Sequence, residues 1–192
     1  MQLKTLGLGL AITLASSVTL AAPVDYKIDP THTATVFSWN HFGFSTPSAN
    51  FTNIQGVIKV DNEKPANSSV EVTIPLSSVN TNVAALDKEF QEEAWFNAAK
   101  YPNITFKSTK VETKDKKHFK ITGNLTVKGV TKPVVLNAIL NKQGEHPMAK
   151  VPAIGFNATT SFDRSAFGIG NYVPNVGDKI TVNITTEATA AK

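Results

Sequence analysis

Cysteine is absent from the 192 residues. That excludes disulfide staples, thiol catalysis and cysteine-bound metals in any compartment. Arginine is nearly absent, Arg164 being the only one. Beyond the N-terminal region no segment approaches the ~20 uninterrupted apolar residues of a membrane-spanning helix. Catalytic signatures are missing too: there is no Gly-x-Ser-x-Gly elbow, no His-Glu-x-x-His pair, no phosphate loop and no dinucleotide fingerprint. Gly168, Gly170 and Gly177 lack the strand–turn–helix setting of a phosphate site and read as a loop before the last strand. These absences point away from an enzyme and away from any cofactor.

The charge is only mildly unbalanced, at +4. Lys114, Lys116, Lys117 and Lys120 gather around one predicted turn. A nucleic-acid binder needs a basic face interleaved with aromatics, so nucleic acid is not an expected partner. The cluster reads as a solvated hairpin tip, with transient contact to an anionic membrane surface as the alternative. His32 and His41, with Asp29 nearby, lack the spacing of a metal-binding pair. They are expected to be structural histidines near the mouth of the sheet, and no metal site is predicted. Glu92 and Glu93 are adjacent on a predicted helix, so they do not face each other as an acid–base pair would.

What is present begins with a leader pattern. Lys4 supplies a positive start, Leu6 to Leu14 is apolar, and Ser16 to Ala22 is small and weakly polar. This is the tripartite form of a secretory signal. It predicts a signal peptide over residues 1–21, a single domain over 22–192, and a periplasmic protein.

Through the remainder the dominant period is two. Phe119, Ile121, Gly123, Leu125 and Val127 alternate with Lys120, Thr122, Asn124, Thr126 and Lys128; Ile180, Val182 and Ile184 alternate with Thr181, Asn183 and Thr185. One wet face and one apolar face mark antiparallel strands. Eight are predicted: Ala34 to Phe44, Asn53 to Val60, Ser69 to Pro75, Ile104 to Glu112, His118 to Val127, Lys132 to Asn141, Val151 to Asp163 and Lys179 to Thr189. A short strand at Tyr26 to Ile28 precedes them. Turn chemistry marks Asp115, Gly129 and Gln143-Gly144-Glu145. Only Asn82 to Ala99 is helical in character, with Leu86 and Phe90 on one stripe, and it predicts one or two short helices crossing outside the sheet.

A sheet of that size with one apolar face must close or stack. Closure into an all-β, eight-stranded antiparallel barrel is the favoured solution, with a sandwich as the alternative. Its interior is filled by side chains or by a ligand, and the aromatic inventory, including Phe37, Trp39, Phe106, Phe156, Phe162 and Phe167, suits a pocket wall. Arg164 has the fork geometry for a carboxylate or phosphate, a local ion pair with Asp163 or a helix glutamate being the plainer reading.

His32…Phe37…His41-Phe42-Gly43, Tyr101-Pro102-Asn103-Ile104-Thr105-Phe106-Lys107-Ser108-Thr109, Thr122-Gly123-Asn124-Leu125-Thr126-Val127-Lys128-Gly129-Val130-Thr131-Lys132-Pro133 and Asp163-Arg164-Ser165-Ala166-Phe167-Gly168 occur in this order. Together they resemble the YceI-like family of polyisoprenoid-binding periplasmic proteins. The resemblance implies a lipocalin-like barrel holding a long isoprenoid or related amphiphile, with Phe37, Phe106, Leu125 and Phe156 lining the tunnel. Trp39, Phe162 and Phe167 complete the candidate contacts, and His41 and Arg164 are placed for polar head-group contacts. Many members carry an Arg-Asp-x-His-Leu pattern where this chain reads Leu86-Asp87-Lys88-Glu89-Phe90, so the arginine and histidine are replaced and the aspartate kept. The expected function is a carrier for an isoprenoid-type lipid, a polyprenyl phosphate or a quinone-like molecule. A soluble partner of a membrane redox protein, and an enzyme using His41 as base, are the alternatives. Oligomeric state is not legible.

Overall fold

The period-two stretches form strands throughout a computed structural model that describes residues 22–190; the predicted leader, residues 1–21, lies outside the described residues. The strands are β1 (Val24–Ile28), β2 (Ala34–Ser38), β3 (Ser48–Phe51), β4 (Gln55–Val60), β5 (Ser69–Pro75), β6 (Asn103–Thr113), β7 (His118–Val127), β8 (Val130–Glu145), β9 (Pro152–Asp163) and β10 (Lys179–Ala190). One helix, α1 (Ala84–Gln91), lies between β5 and β6. The sheet order is β1-β4-β5-β6-β7-β8-β9-β10-β2-β3, and a further β1–β10 pairing closes the ring.

Ten strands make an eight-stranded closed barrel because two staves are broken. β10 pairs with β1 through Ala188 to Ala190 and with β2 through Thr181 to Thr185. β1 and β2 are therefore one stave, interrupted where Pro30 cannot donate to a ladder and Asp29 accepts the Thr31 N–H at 2.8 Å. β3 and β4 form the other, interrupted at Asn53, whose φ of 54° is left-handed, a conformation asparagine tolerates.

The strand expected from Asn53 to Val60 forms as β4, from Gln55, but one predicted strand is corrected. The stretch expected from Ala34 to Phe44 stops at Ser38, and β3, which was not predicted, starts at Ser48. Between them Phe42 and Gly43, with φ of 54° and 77°, turn the chain back. The expected turn at Gln143-Gly144-Glu145 is also corrected. Those residues pair with Ile154, Ala153 and Pro152 inside β8. The reversal comes at Pro147, where His146 Nδ1 accepts the N–H groups of Met148 and Ala149 at 3.3 and 3.1 Å. The β6–β7 and β7–β8 hairpins form as expected. Asp115 accepts the N–H groups of Lys117 and His118 at 2.9 and 2.8 Å, and Lys128-Gly129 supply the two positive φ values of a tight hairpin turn.

The barrel has two unlike ends. The ten residues of β7 run about 30 Å from one to the other at ~3.4 Å per residue. One end carries the 39–47 loop, α1 and the 164–178 connection; the other carries the 61–68 loop and the lysine-bearing β6–β7 turn. Helix α1 does not cross outside the sheet as expected. Phe90 is buried in the same cluster as Phe37 and Trp39, so the helix caps the first end. The retained Asp87 anchors it, accepting hydrogen bonds from the backbone N–H and the hydroxyl of Thr81.

His32 lies in the break between β1 and β2 rather than at the mouth, its Nδ1 2.8 Å from Asp29 Oδ2. Hydrogen bonds from Thr31 and His32 draw the Asp29 carboxyl down to about 2, and the same hydrogen bond raises the pKa of His32. The raised value means that the pair's stabilisation is complete below the ordinary histidine value and is lost as pH rises through the folded one. An NMR titration of the His32 ring should therefore give a midpoint above ~6.5, and Asp29→Asn should return it to that value. A midpoint at or below the ordinary value in the unmodified protein would show the pair is not formed in solution.

Candidate functional site

Along each stave the inward side chains enclose a bore of about 840 Å³, at the upper end of the ~300–1,000 Å³ typical of ligand pockets. Its wall takes Phe119, Ile121, Leu125 and Val127 from β7, Phe156, Ala158, Thr160 and Phe162 from β9, and Ile180, Val182, Ile184 and Thr186 from β10. The inward position missing from the β7 series is Gly123. A Cβ there would lie 2.3 Å from Phe106 Cζ, so the glycine leaves room for the Phe106 ring. The bore reaches both ends of the barrel, touching Tyr172 at one and Lys116 at the other. At the second end Lys116 Nζ donates to Asn62 O at 2.7 Å, tying the β6–β7 turn to the 61–68 loop.

Aromatic rings line the first end. Phe37 stacks on Phe51 at 5.1 Å and on Trp39 at 5.8 Å. Phe90 of α1 meets Trp39 at 5.7 Å and Trp95 at 5.4 Å. All of the side chains singled out from the sequence lie on the cavity wall: Phe37, Trp39, His41, Phe106, Leu125, Phe156, Phe162, Arg164 and Phe167. Sequence reading passed over Leu86, Glu89 and Phe90 as cavity residues, yet α1 turns all three inward. Their i, i+3, i+4 spacing was the available signal. It also passed over Tyr172 and the paired alanines Ala138 and Ala158.

The two polar candidates differ from each other. The ring of His41 lies edge-on to Phe42 at 4.7 Å, and His41 is exposed. No carboxylate hydrogen-bonds it among the described residues, whereas a general base needs an orienting partner. Arg164 is buried, at 6% exposure, and its fork is turned on the chain itself. Nε donates to Gly177 O at 3.0 Å, Nη1 to Ile169 O at 2.7 Å, and Nη2 to the carbonyls of Asn171 and Val176 at 2.8 Å each. The guanidinium also stands 5.8 Å over the Trp95 ring. Neither Asp163 nor a helix glutamate comes within 4 Å of it among the described residues, so the ion pair considered from sequence does not form. Burial lowers the Arg164 pKa, and the nearby Asp178 opposes this. Four carbonyl dipoles thus solvate a cation that holds the 164–178 connection in shape.

Glu89 is the carboxylate on the cavity wall at this end, and it accepts the Trp95 indole N–H at 3.0 Å. Among the described residues no group of three or more His, Asp or Glu is placed to hold a metal ion. The chemistry this arrangement supports is enclosure of an apolar body.

Comparison with known proteins agrees with that geometry. Protein YceI of Escherichia coli O157:H7 is 37% identical over 194 residues, covering the whole of both chains. The crystal structure of the Campylobacter jejuni YceI protein matches over the whole of both chains with a TM-score of 0.68 and 26% identity. A polyisoprenoid binding domain from Saccharophagus degradans shares the fold at 14% identity, with a TM-score of 0.65 over 88% of this chain and 99% of that one. The YceI-like domain model matches residues 26–188, and this chain belongs to the YceI-like family.

Proposed function

We propose that the protein is a periplasmic carrier that holds an isoprenoid-type lipid in the barrel, without covalent chemistry of its own. The observation that carries this reading is the size and character of the bore. The bore holds about 840 Å³ and reaches both ends of the barrel, so what occupies it is decided by the character of its wall. Water there finds few of the 2–4 polar partners it needs, because the wall is mostly Phe, Ile, Leu and Val. A methylated hydrocarbon chain gains ~25 cal/mol per Å² removed from water. The polyisoprenoid-binding neighbour supports the isoprenoid class, and the leader pattern of residues 1–21 supports the compartment.

At the mouth the polar groups favour an uncharged head. Arg164 spends its donors on backbone carbonyls, Glu89 contributes a carboxylate, and Leu86 stands where many relatives carry arginine. A quinone-like or polyprenol head fits these surroundings better than a phosphate, which would face Glu89. Protein purified without detergent should release a prenyl lipid on organic extraction, identified by mass spectrometry, with uncharged species dominating. Repeated blanks from folded protein would remove the carrier reading, and a predominance of polyprenyl phosphate would remove the head-group assignment alone.

A further inference from the structure

The mouth carries aromatic side chains in places where turn geometry calls for something else. Phe42 and Gly43 occupy the two positive-φ positions of a tight turn, at 54° and 77°, closed by the His41–Ser45 bridge. Asparagine is the usual residue at the first of these positions, because a bulky side chain is strained there. Tyr172, on the facing 164–178 connection, has a φ of 63°. Both rings line the bore, yet Phe42 is 50% and Tyr172 66% exposed. Next to them Phe44 is 93% exposed and does not line the bore. The two lips are held together, Phe42 N–H donating to Asn175 O at 2.9 Å.

Charge is distributed to match. Residues 39–47 and 165–177 contain no Lys, Arg, Asp or Glu. The exposed parts of both lips thus carry no formal charge while presenting Phe42, Phe44, Tyr172 and Val173; Arg164 and Asp178 stand at the base of the second lip, and Lys128 Nζ reaches Gly168 O at 3.5 Å. The lysines of the β6–β7 turn lie at the opposite end, about 30 Å along the strand.

We propose that this mouth docks on a lipid bilayer, with Phe42, Phe44 and Tyr172 entering the interfacial layer so that a prenyl chain passes between membrane and bore without crossing water. The inference rests on the carrier reading above. Aromatic side chains favour the membrane interface, and charges are costly there. Phe42 and Tyr172 face both the bore and the outside, so the bore wall continues onto the docking surface. Glu92 and Glu93 are exposed beside α1, as are Lys88 and Lys100, so this flank has no excess of one sign and a zwitterionic surface is the one to test. Membrane contact is thereby assigned to the end opposite the lysine cluster.

The test measures transfer of an anthroyl-labelled polyprenol between phosphatidylcholine vesicles by the purified protein. The transfer rate should rise with vesicle concentration, as collision requires. Phe44→Ser should lower it about tenfold, the scale of removing one buried aromatic, while binding of the same probe delivered from octyl glucoside micelles stays unchanged. Lys114→Glu with Lys117→Glu should leave transfer unchanged. Phe42→Asn, which suits the turn, should raise the unfolding midpoint and slow transfer. A rate independent of vesicle concentration, or one insensitive to Phe44→Ser, overturns the docking proposal. So does a rate governed by the lysines. Absence of micellar binding in the unmodified protein would instead overturn the carrier reading itself, and docking with it.

Discussion

Replacing Ala138 and Ala158 together by phenylalanine is expected to stabilise the lipid-free protein while reducing capture of a long polyprenol at least a hundredfold. The two alanines are cross-strand partners on β8 and β9, both buried and both on the bore wall. At this level two neighbouring staves contribute only methyl groups to the wall. Two phenyl rings there fill space that protein atoms leave unfilled, and cavity filling commonly adds ~0.5–2 kcal/mol. For a chain of this size that raises the unfolding midpoint by roughly 1–8 °C. The same rings obstruct the path of a hydrocarbon chain, and a hundredfold loss corresponds to about 2.7 kcal/mol of binding. Calorimetry of delipidated protein and fluorescence titration with the labelled polyprenol read the two effects separately. Opposite signs are the signature of a ligand channel. A lower midpoint with capture intact would mean that the wall was already packed at that level and that the lipid lies elsewhere.

Arg164→Met should lower stability by about 3–5 kcal/mol, or roughly 10 °C in unfolding midpoint. The methionine fills much of the volume but leaves the carbonyls of Ile169, Asn171, Val176 and Gly177 without their donor. Each buried acceptor left unpaired costs about 1–3 kcal/mol, offset in part where water reaches it. Arg164→Lys should recover less than half of the loss, because an ammonium cannot span acceptors arranged around a planar fork. Urea denaturation of the three proteins decides between two roles for this residue. If Arg164 served chiefly as a head-group ligand, Arg164→Met would keep the original midpoint and lose only lipid affinity. The expected order of stability is arginine, then lysine, then methionine.

Much of the barrel can be read from alternation. The β7 strand His118 to Val127 is delimited by polar turn chemistry on both sides, and its inward series follows directly from a period of two. Positions such as Phe106, Leu125 and Phe156 fall on the cavity wall for the same reason. The broken staves were harder to see. Asn53 disrupts a stave through its backbone conformation, and nothing in its neighbours distinguishes that use from an ordinary strand end. Gly144 misled in the other direction, because a glycine inside a long strand has the same local look as a glycine in a turn. Arg164 shows the limit most clearly. Its chemistry is equally suited to an anionic ligand, an acidic side chain or a set of carbonyls, and only the path of the 164–178 connection puts four carbonyls around it.

The amino-acid sequence alone determined that this would be an antiparallel, disulfide-free sheet with one apolar face, because side-chain alternation and turn residues are local properties of the chain. The tertiary structure decided that the apolar face surrounds a bore, that α1 caps one end, and that two loops bearing exposed aromatics meet at that mouth. Those features depend on pairings between segments far apart in sequence, above all β1 with β10, which closes the sheet and turns an apolar surface into a container.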